Sequence, residues 1–270
     1  MRLGFGLGLQ YSRLSGGGSG FTPSNLFSNG VRGAWYDPSD LSTLFQDAAG
    51  TTPVTTDGDP VGKMLDKSGN GNHAKQSVSG LRPIYRTDGT LHWLDGNGVD
   101  DFLITDAIAP IARDSTGIYF SMAAKSNQPP LRVSQYNASN SSRNFSTSGV
   151  IGDNVSSYNA GTQLASSFEA GKFAIVEFNR DNPHVFSFKW EGPNSYNKAQ
   201  LNNETVIDSP ETLASVGTFT SQPLEIFSIN NGNNLTEGRI YGIFVIGDVL
   251  TETKSNSLKE YMASKVGITL

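Results

Sequence analysis

Apolar and polar positions alternate strictly at the start of the chain. In MRLGFGLGLQY, Leu3, Phe5, Leu7 and Leu9 fall on one face of an extended segment, and Gly4, Gly6 and Gly8 on the other. The glycine face carries no side chains, so a second backbone could approach it closely. SRLSGGGSGFTPSN follows, with the composition of a flexible tether. The pattern therefore predicts an apolar arm over residues 1–12, a Gly/Ser-rich linker over 13–29 and one folded domain over 30–270. The arm has two readings: an anchor that adds as a strand to a partner's sheet edge, or the first strand of the domain's own sheet. A signal peptide is not expected, because glycine breaks the apolar run at every second place and no small-x-small site follows.

From Val31 onward strand patterns recur. VRGAWYD ends at Asp37-Pro38, and DLSTLFQDAAG reads as a short helical or turn segment stopped by Gly50. IYRTDGTLHWLDG reads as a hairpin about Thr87-Asp88-Gly89. STGIYFSMAAK is a buried-strand pattern, LRVSQY is expected to pair with RNFSTS, and GKFAIVEFNR and HVFSFKW flank a second hairpin signal at Asp181-Asn182-Pro183. LEIFSINN and GRIYGIFVIGDV are the last strands. One helix is predicted, capped by Thr251, with Leu258, Tyr261, Met262 and Val266 on one stripe and Gly267 as its stop. Many short strands, one surface helix and no fixed-period repeat predict an all-β sandwich. Trp35, Trp93 and Trp190 lie in strand-like runs, so core packing is expected of them.

Composition narrows this picture. The chain has 270 residues, 36% of them hydrophobic, with 30 glycines and 17% charged residues. That suits one large all-β domain rich in turns and leaves little room for long solvated helices. The net charge of −5 and the lack of a basic stripe argue against nucleic acid as a partner. There is no cysteine, hence no disulfide framework or thiolate site. No apolar run approaches the ~20 residues needed for membrane insertion as a helix. Asn-x-Ser/Thr triplets at Asn137, Asn144 and Asn203 carry no weight in so Ser/Asn-rich a chain.

LDKSGNGNHA, residues 65–74, raises three alternatives: a metal loop, a phosphate cradle or a turn. A phosphate loop needs the Walker spacing and a lysine that opens a helix, and NHAKQSVSG follows instead. Asp66, Asn70 and Asn72 could start a calcium site, but the EF-hand spacing is absent. The expectation is a structural turn, in which Gly69, Asn70 and Gly71 supply positive φ and Asp66 and Asn72 bond the turn's own amides. No metal and no other cofactor is expected, calcium being unsupported.

For chemistry, FEAGKFAIVEFNRD offers Glu169, Glu177 and Asp181, and PLEIFSI offers Glu225. None has the alternate-position spacing that sets two carboxylates about 5 Å apart for retaining glycosidic cleavage. His73, His92 and His184 form no zinc-type pair, and no G-x-S-x-G elbow occurs. The expectation is that the chain is not an enzyme. Saccharide recognition asks for exposed rings and planar amides, and residues 125–161 are rich in both. Tyr136, Asn137, Asn140, Arg143, Asn144, Tyr158 and Asn159 are the candidate glycan surface; the alternative for them is a solvated hairpin edge.

Three segments carry a family likeness. LDKSGNGNHA resembles the early hairpin of laminin-G-like, concanavalin A-like jelly rolls. WLDGNGVDDFL looks like their F-D-G-x-x-D-Y-L strand. EGRIYGIFVIGDVLTETKSNSLKEYMASKVGI is similar to their closing strand and helix, with Val266 where the family has tryptophan. The resemblance implies a jelly roll from about Gly30 to Leu270. The glycine-alternating arm, AWYDPSDLSTLFQD and TTPVTTDGDPVGKMLDKSGNGNHA together look like small structural or fibre proteins of tailed bacteriophages and phage-related particles. That implies a virion component, exposed on the particle and bound to other virion proteins through the arm. Its expected task is attachment to host-surface polysaccharide. The alternatives are a decoration or cement protein and a polysaccharide-degrading enzyme. The resemblance also suggests a homo-oligomer such as a trimer, although no heptad stalk is encoded.

Overall fold

The computed structural model describes residues 21–109, 111, 117–128, 133–136, 143–151, 156–163, 174–178, 182–191, 196–212, 221–228, 232, 233 and 235–270. The arm residues Leu3, Phe5, Leu7 and Leu9 lie outside them. The described residues form seventeen strands and one α-helix. The first seven strands are β1 (Gly33–Tyr36), β2 (Leu44–Phe45), β3 (Lys63–Met64), β4 (Ala74–Lys75), β5 (Ile84–Thr87), β6 (His92–Asn97) and β7 (Leu103–Ile104). The middle of the chain gives β8 (Ile118–Gln128), β9 (Val133–Tyr136), β10 (Arg143–Ile151), β11 (Ser156–Gln163) and β12 (Ala174–Phe178). The last five are β13 (His184–Trp190), β14 (Tyr196–Leu201), β15 (Ile207–Thr212), β16 (Leu224–Ile226) and β17 (Glu237–Ile246), before helix α1 (Glu252–Lys265).

Two antiparallel sheets face each other, as the strand patterns predict. The eight-stranded sheet runs β15-β14-β13-β8-β17-β6-β5, with β1 also paired to β17. The nine-stranded sheet runs β12-β11-β10-β9-β16-β7-β4-β3-β2. Alternation decides what lies between them. Phe120 and Met122 of β8, Phe186, Phe188 and Trp190 of β13, and Leu224 and Ile226 of β16 share one buried cluster. Burying a side chain of this size contributes about 1.5–3 kcal/mol.

The opposite face of the eight-stranded sheet is apolar along β17 and carries a second core. There Tyr241, Phe244 and Ile246 meet Leu258, Met262, Ala263 and Val266 of α1. Thr251 caps the helix by accepting a hydrogen bond from the Lys254 amide at 3.4 Å. Gly267, at φ +70°, provides the left-handed residue that ends it.

Two expectations are corrected. Part of the supposed linker is packed: within Pro23–Gly30, a 3-10 segment kinked at Ser28 and Asn29, Leu26 and Phe27 are buried. Phe27 stacks on Phe244 at 6.2 Å between ring centroids. The glycine-rich composition around this pair masked its affinity for the apolar outer face. Second, the turn about Asn182 and Pro183 is not a hairpin, because β12 pairs within the nine-stranded sheet and β13 within the eight-stranded one. The connection crosses between layers. The hairpin at Thr87-Asp88-Gly89, by contrast, joins paired strands β5 and β6.

The turn after β6 stores a charge. Asn97 Oδ1 accepts from the amides of Val99, Asp100 and Asp101, and the Asp101 carboxylate accepts from the Asn97 amide at 3.1 Å. Burial raises the Asp101 pKa to about 6. A folded-state value above the unfolded one means that the native protein resists ionising this group. The penalty grows as pH rises through the interval from about 4 to 6 and is complete above it. Asp101→Asn is therefore expected to raise stability at neutral pH by about 1–2 kcal/mol, with no gain below about pH 4. Urea denaturation at the two pH values checks this.

Candidate functional site

A cavity on the eight-stranded sheet is built by register. With Phe186, Phe188 and Trp190 turned inward, Ser187 and Lys189 of β13 face out. With Ala199 and Leu201 inward, Lys198 and Gln200 of β14 face out. Strand pairing then sets two rows across the outer face of the eight-stranded sheet. One reads Tyr119, Lys189, Lys198, Asp208; the other reads Ser121, Ser187, Gln200. Above them α1 presents Glu252, Ser255, Asn256 and Lys259, spaced i, i+3, i+4 and i+7, which makes them one stripe. Between stripe and rows lies a pocket of about 500 Å³, which Asn203 and Val206 also line. Binding cavities for small organic ligands commonly span about 300–1,000 Å³.

Its groups are fixed by their neighbours. Gln200 Nε2 donates to the Glu204 carbonyl at 2.6 Å, so Gln200 Oε1 is left to accept from Lys259 Nζ at 2.9 Å. Lys189 and Lys198 both reach Glu191, at 2.8 and 3.8 Å. The Tyr119 hydroxyl is pushed up to about 12 by burial, against the pull of its hydrogen bond with Ser187. The cavity thus offers amides, hydroxyls, ammonium groups and the carboxylates of Asp208 and Glu252, beside apolar surface at Ala199 and Val206. That chemistry suits a polyhydroxylated ligand.

The described residues predicted as a glycan surface belong to the other sheet. Tyr136 closes β9 directly opposite Arg143, which opens β10 with Asn144 beside it. Tyr158 and Asn159 sit in β11 opposite Gly149 and Ser148. These belong to the nine-stranded sheet and form two groups along it, while Asn137 and Asn140 lie outside the described residues. The pocket residues went unnoticed in the sequence because each is an ordinary polar position on its own element. The signal was the coincidence of outward lysines in FSFKW and NKAQ with a polar helical stripe.

The nine-stranded sheet also carries a polar row on its outer face: Lys63, Lys75, Ile104, Glu225 and Ser134 are successive register partners. Glu225 is only 1% exposed, and its Oε2 accepts from Ser228 Oγ at 2.8 Å and the Gly232 amide at 3.2 Å. Beside it, the buried Ser134 hydroxyl has no hydrogen-bond partner among the described residues. Of the other acids considered, Glu177 lies in β12, opposite Ser157, and Glu169 and Asp181 fall outside the described residues.

The LDKSGNGNHA loop is a brace for β1. Among the described residues β1 pairs only with β17, so its other edge is open. Asp66 accepts from the Trp35 amide there, Lys67 N–H donates to the Trp35 carbonyl, and the Asn72 amide group reaches the Gly33 carbonyl at 2.8 Å. The Asn70 amide group also donates to the Gly33 carbonyl at 3.2 Å. Gly69 and Gly71 hold φ of +86° and +75°. Asn70 does not share that conformation; it serves the loop through its side chain and through its amide, which donates to Ser68 Oγ at 3.1 Å. His73 Nδ1 accepts from the Asp66 amide at 3.0 Å. Among the described residues no group of three or more His, Asp or Glu side chains could hold a metal ion.

No family model matches the chain, and no curated protein matches it. Solved structures do. An arabinofuranosidase complexed with arabinofuranosyl-α-1,2-xylobiose superposes at a TM-score of 0.59 with 10% identity, over 91% of this chain and 65% of that one. A GH54 α-L-arabinofuranosidase soaked with a cyclic sulfate inhibitor gives 0.51 and 9%, over 91% and 66%. The binding domain of botulinum neurotoxin serotype G gives 0.51 and 14%, over 74% and 49%. The chain thus spans less than two thirds of the length of the structures it resembles. The expectation of a non-enzyme is corrected here, since it leaned on carboxylate spacing read along single strands, and enzymes that cleave glycosides share this architecture. What the chain shares with these proteins is an all-β, two-sheet sandwich fold.

Proposed function

We propose that this chain is a carbohydrate-engaging β-sandwich that holds a saccharide in the pocket between α1 and strands β13 and β14. The observation that carries the reading is the convergence of Gln200, Asn203, Asn256, Ser187 and the lysines on one cavity of about 500 Å³. The fold shared with an arabinofuranosidase and a toxin binding domain supports it. The likeness of the sequence to concanavalin A-like jelly rolls of phage-type particles supports a setting for it. In that setting the arm of Leu3, Phe5, Leu7 and Leu9 holds the protein on a virion, and the glycan belongs to the host surface.

The test is a titration of isotope-labelled protein with host-surface oligosaccharides. The amides of Ser187, Lys198, Gln200 and Asn256 are expected to shift, and Asn256→Ala to weaken binding about tenfold through a lost hydrogen-bonding group. Shifts confined to the nine-stranded sheet would refute the pocket assignment.

A second reading, cleavage of a glycan held at the outer face of the nine-stranded sheet instead, is favoured by the buried Glu225 beside the Ser134 hydroxyl, which has no hydrogen-bond partner among the described residues. New reducing ends formed by the native protein and not by Glu225→Gln would establish it.

A further inference from the structure

The pocket contains an unbalanced cation. Lys259 is 4% exposed, yet among the described residues its ammonium makes one hydrogen bond, to the neutral amide oxygen of Gln200. An ammonium has three protons to donate. No carboxylate among the described residues lies within 4 Å of Lys259 Nζ. Lys189 and Lys198 differ, because both already face Glu191. A buried charge without an opposite charge in direct contact is costly, and proteins keep such groups paired or put them to use. Burial holds the Lys259 ammonium below the usual lysine range, against the opposing fields of Glu252 and Glu260.

Deepening the saccharide reading and resting on it, the geometry points to a sugar that carries one carboxylate, a uronic acid unit, whose carboxylate docks on Lys259 Nζ beside Gln200. Its hydroxyls would then meet Asn203, Asn256 and Ser187, which line the same cavity. The number of charges favours a monoanion. One ammonium has no carboxylate in contact among the described residues, while Asp208 and Glu252 on the lining repel a second negative charge. A sugar phosphate is therefore disfavoured.

The experiment compares glucuronate, glucose and glucose 6-phosphate as ligands of the full chain, by calorimetry and by amide shifts. Glucuronate is expected to bind at the pocket at least about tenfold more tightly than glucose, the worth of one charge-assisted hydrogen bond. Glucose 6-phosphate is expected to bind more weakly than glucuronate. Lys259→Gln should bring glucuronate down to the level of glucose. Because Lys259 is buried, Gln200→Glu serves as a second variant: it supplies the missing counter-charge from within, and should abolish the preference for glucuronate while raising the melting temperature. Equal binding of glucose and glucuronate at the pocket would overturn the uronate inference and leave the saccharide reading standing. Tightest binding by the phosphate would also overturn it. Pocket amides unmoved by any of the three would remove both.

Discussion

An Asp37→Ala protein is expected to lose about 3–5 kcal/mol of stability, the usual cost of removing one partner from a buried ion pair. Asp37 is 3% exposed and sits just beyond β1, under the end of α1. Its Oδ2 accepts from Lys265 Nζ at 2.9 Å and from the Tyr261 hydroxyl at 2.9 Å, with Lys67 Nζ at 3.7 Å. Its Oδ1 accepts from the Ser39 amide and hydroxyl. Alanine leaves two ammonium groups without their shared counter-ion, though Lys67 keeps Asp40 at 2.6 Å. The loss should concentrate in the helix, so amide exchange over α1 is expected to accelerate more than exchange in β8 or β13. Asp37→Asn keeps hydrogen-bonding atoms but not the charge, and should cost roughly half as much.

The same carboxylate has a pH signature. Burial pushes its pKa up, but Ser39, Lys265 and Lys67 outweigh burial and hold it below the usual value. A depressed folded-state pKa gives stability that is present above the unfolded value, about 4, and is lost as pH falls through the folded one. Asp37→Ala should thus flatten the acid limb of the stability curve below about pH 4. His184 acts earlier: burial lowers its pKa to about 4, so stability is lost as pH falls from about 6.5 toward that value. The difference between native and Asp37→Ala curves isolates the carboxylate, and a parallel offset at all pH values would show that its charge contributes nothing.

Asp66→Ala is expected to cost about 3 kcal/mol, through loss of several hydrogen bonds to one charged acceptor. Asp66 Oδ1 accepts from the amides of Trp35 and Ser68 at 2.9 and 2.8 Å. Oδ2 accepts from Ser68 Oγ at 2.7 Å and the Asn72 amide at 3.0 Å. The Trp35 amide belongs to the open edge of β1, which the loop covers in place of a strand. An uncovered edge is a template for pairing with another chain. The variant should therefore aggregate on partial heating as well as melt earlier, which light scattering during a thermal ramp would record. A variant that melts earlier without scattering would separate the brace from the edge-covering role.

Much of the architecture was legible because it is local. Alternation in GIYFSMAA and HVFSFKW placed β8 and β13, and Thr251 with Gly267 bounded α1. The turn chemistry of Asp66 and the glycines is equally local. The pocket was not legible, because Lys198, Gln200 and Lys259 meet only once the pairing of β13 with β14 and the seat of α1 are known. The same holds for Glu225, whose neighbour Ser134 is distant in sequence and adjacent in register. Leu26 and Phe27 were hidden for a different reason: their partner is a bare apolar strip on β17, which a composition window cannot see.

The path of the chain into the sandwich has a mechanical corollary. Phe21 bears on Tyr261 at 6.2 Å, and Phe27 on Phe244. Tension drawn through residue 21 falls on these ring contacts before it reaches any ladder of strand hydrogen bonds. Tyr261 belongs to the helix whose opposite flank, at Asn256 and Lys259, walls the pocket. Load on Phe21 and any occupant of the pocket would therefore bear on the same helix.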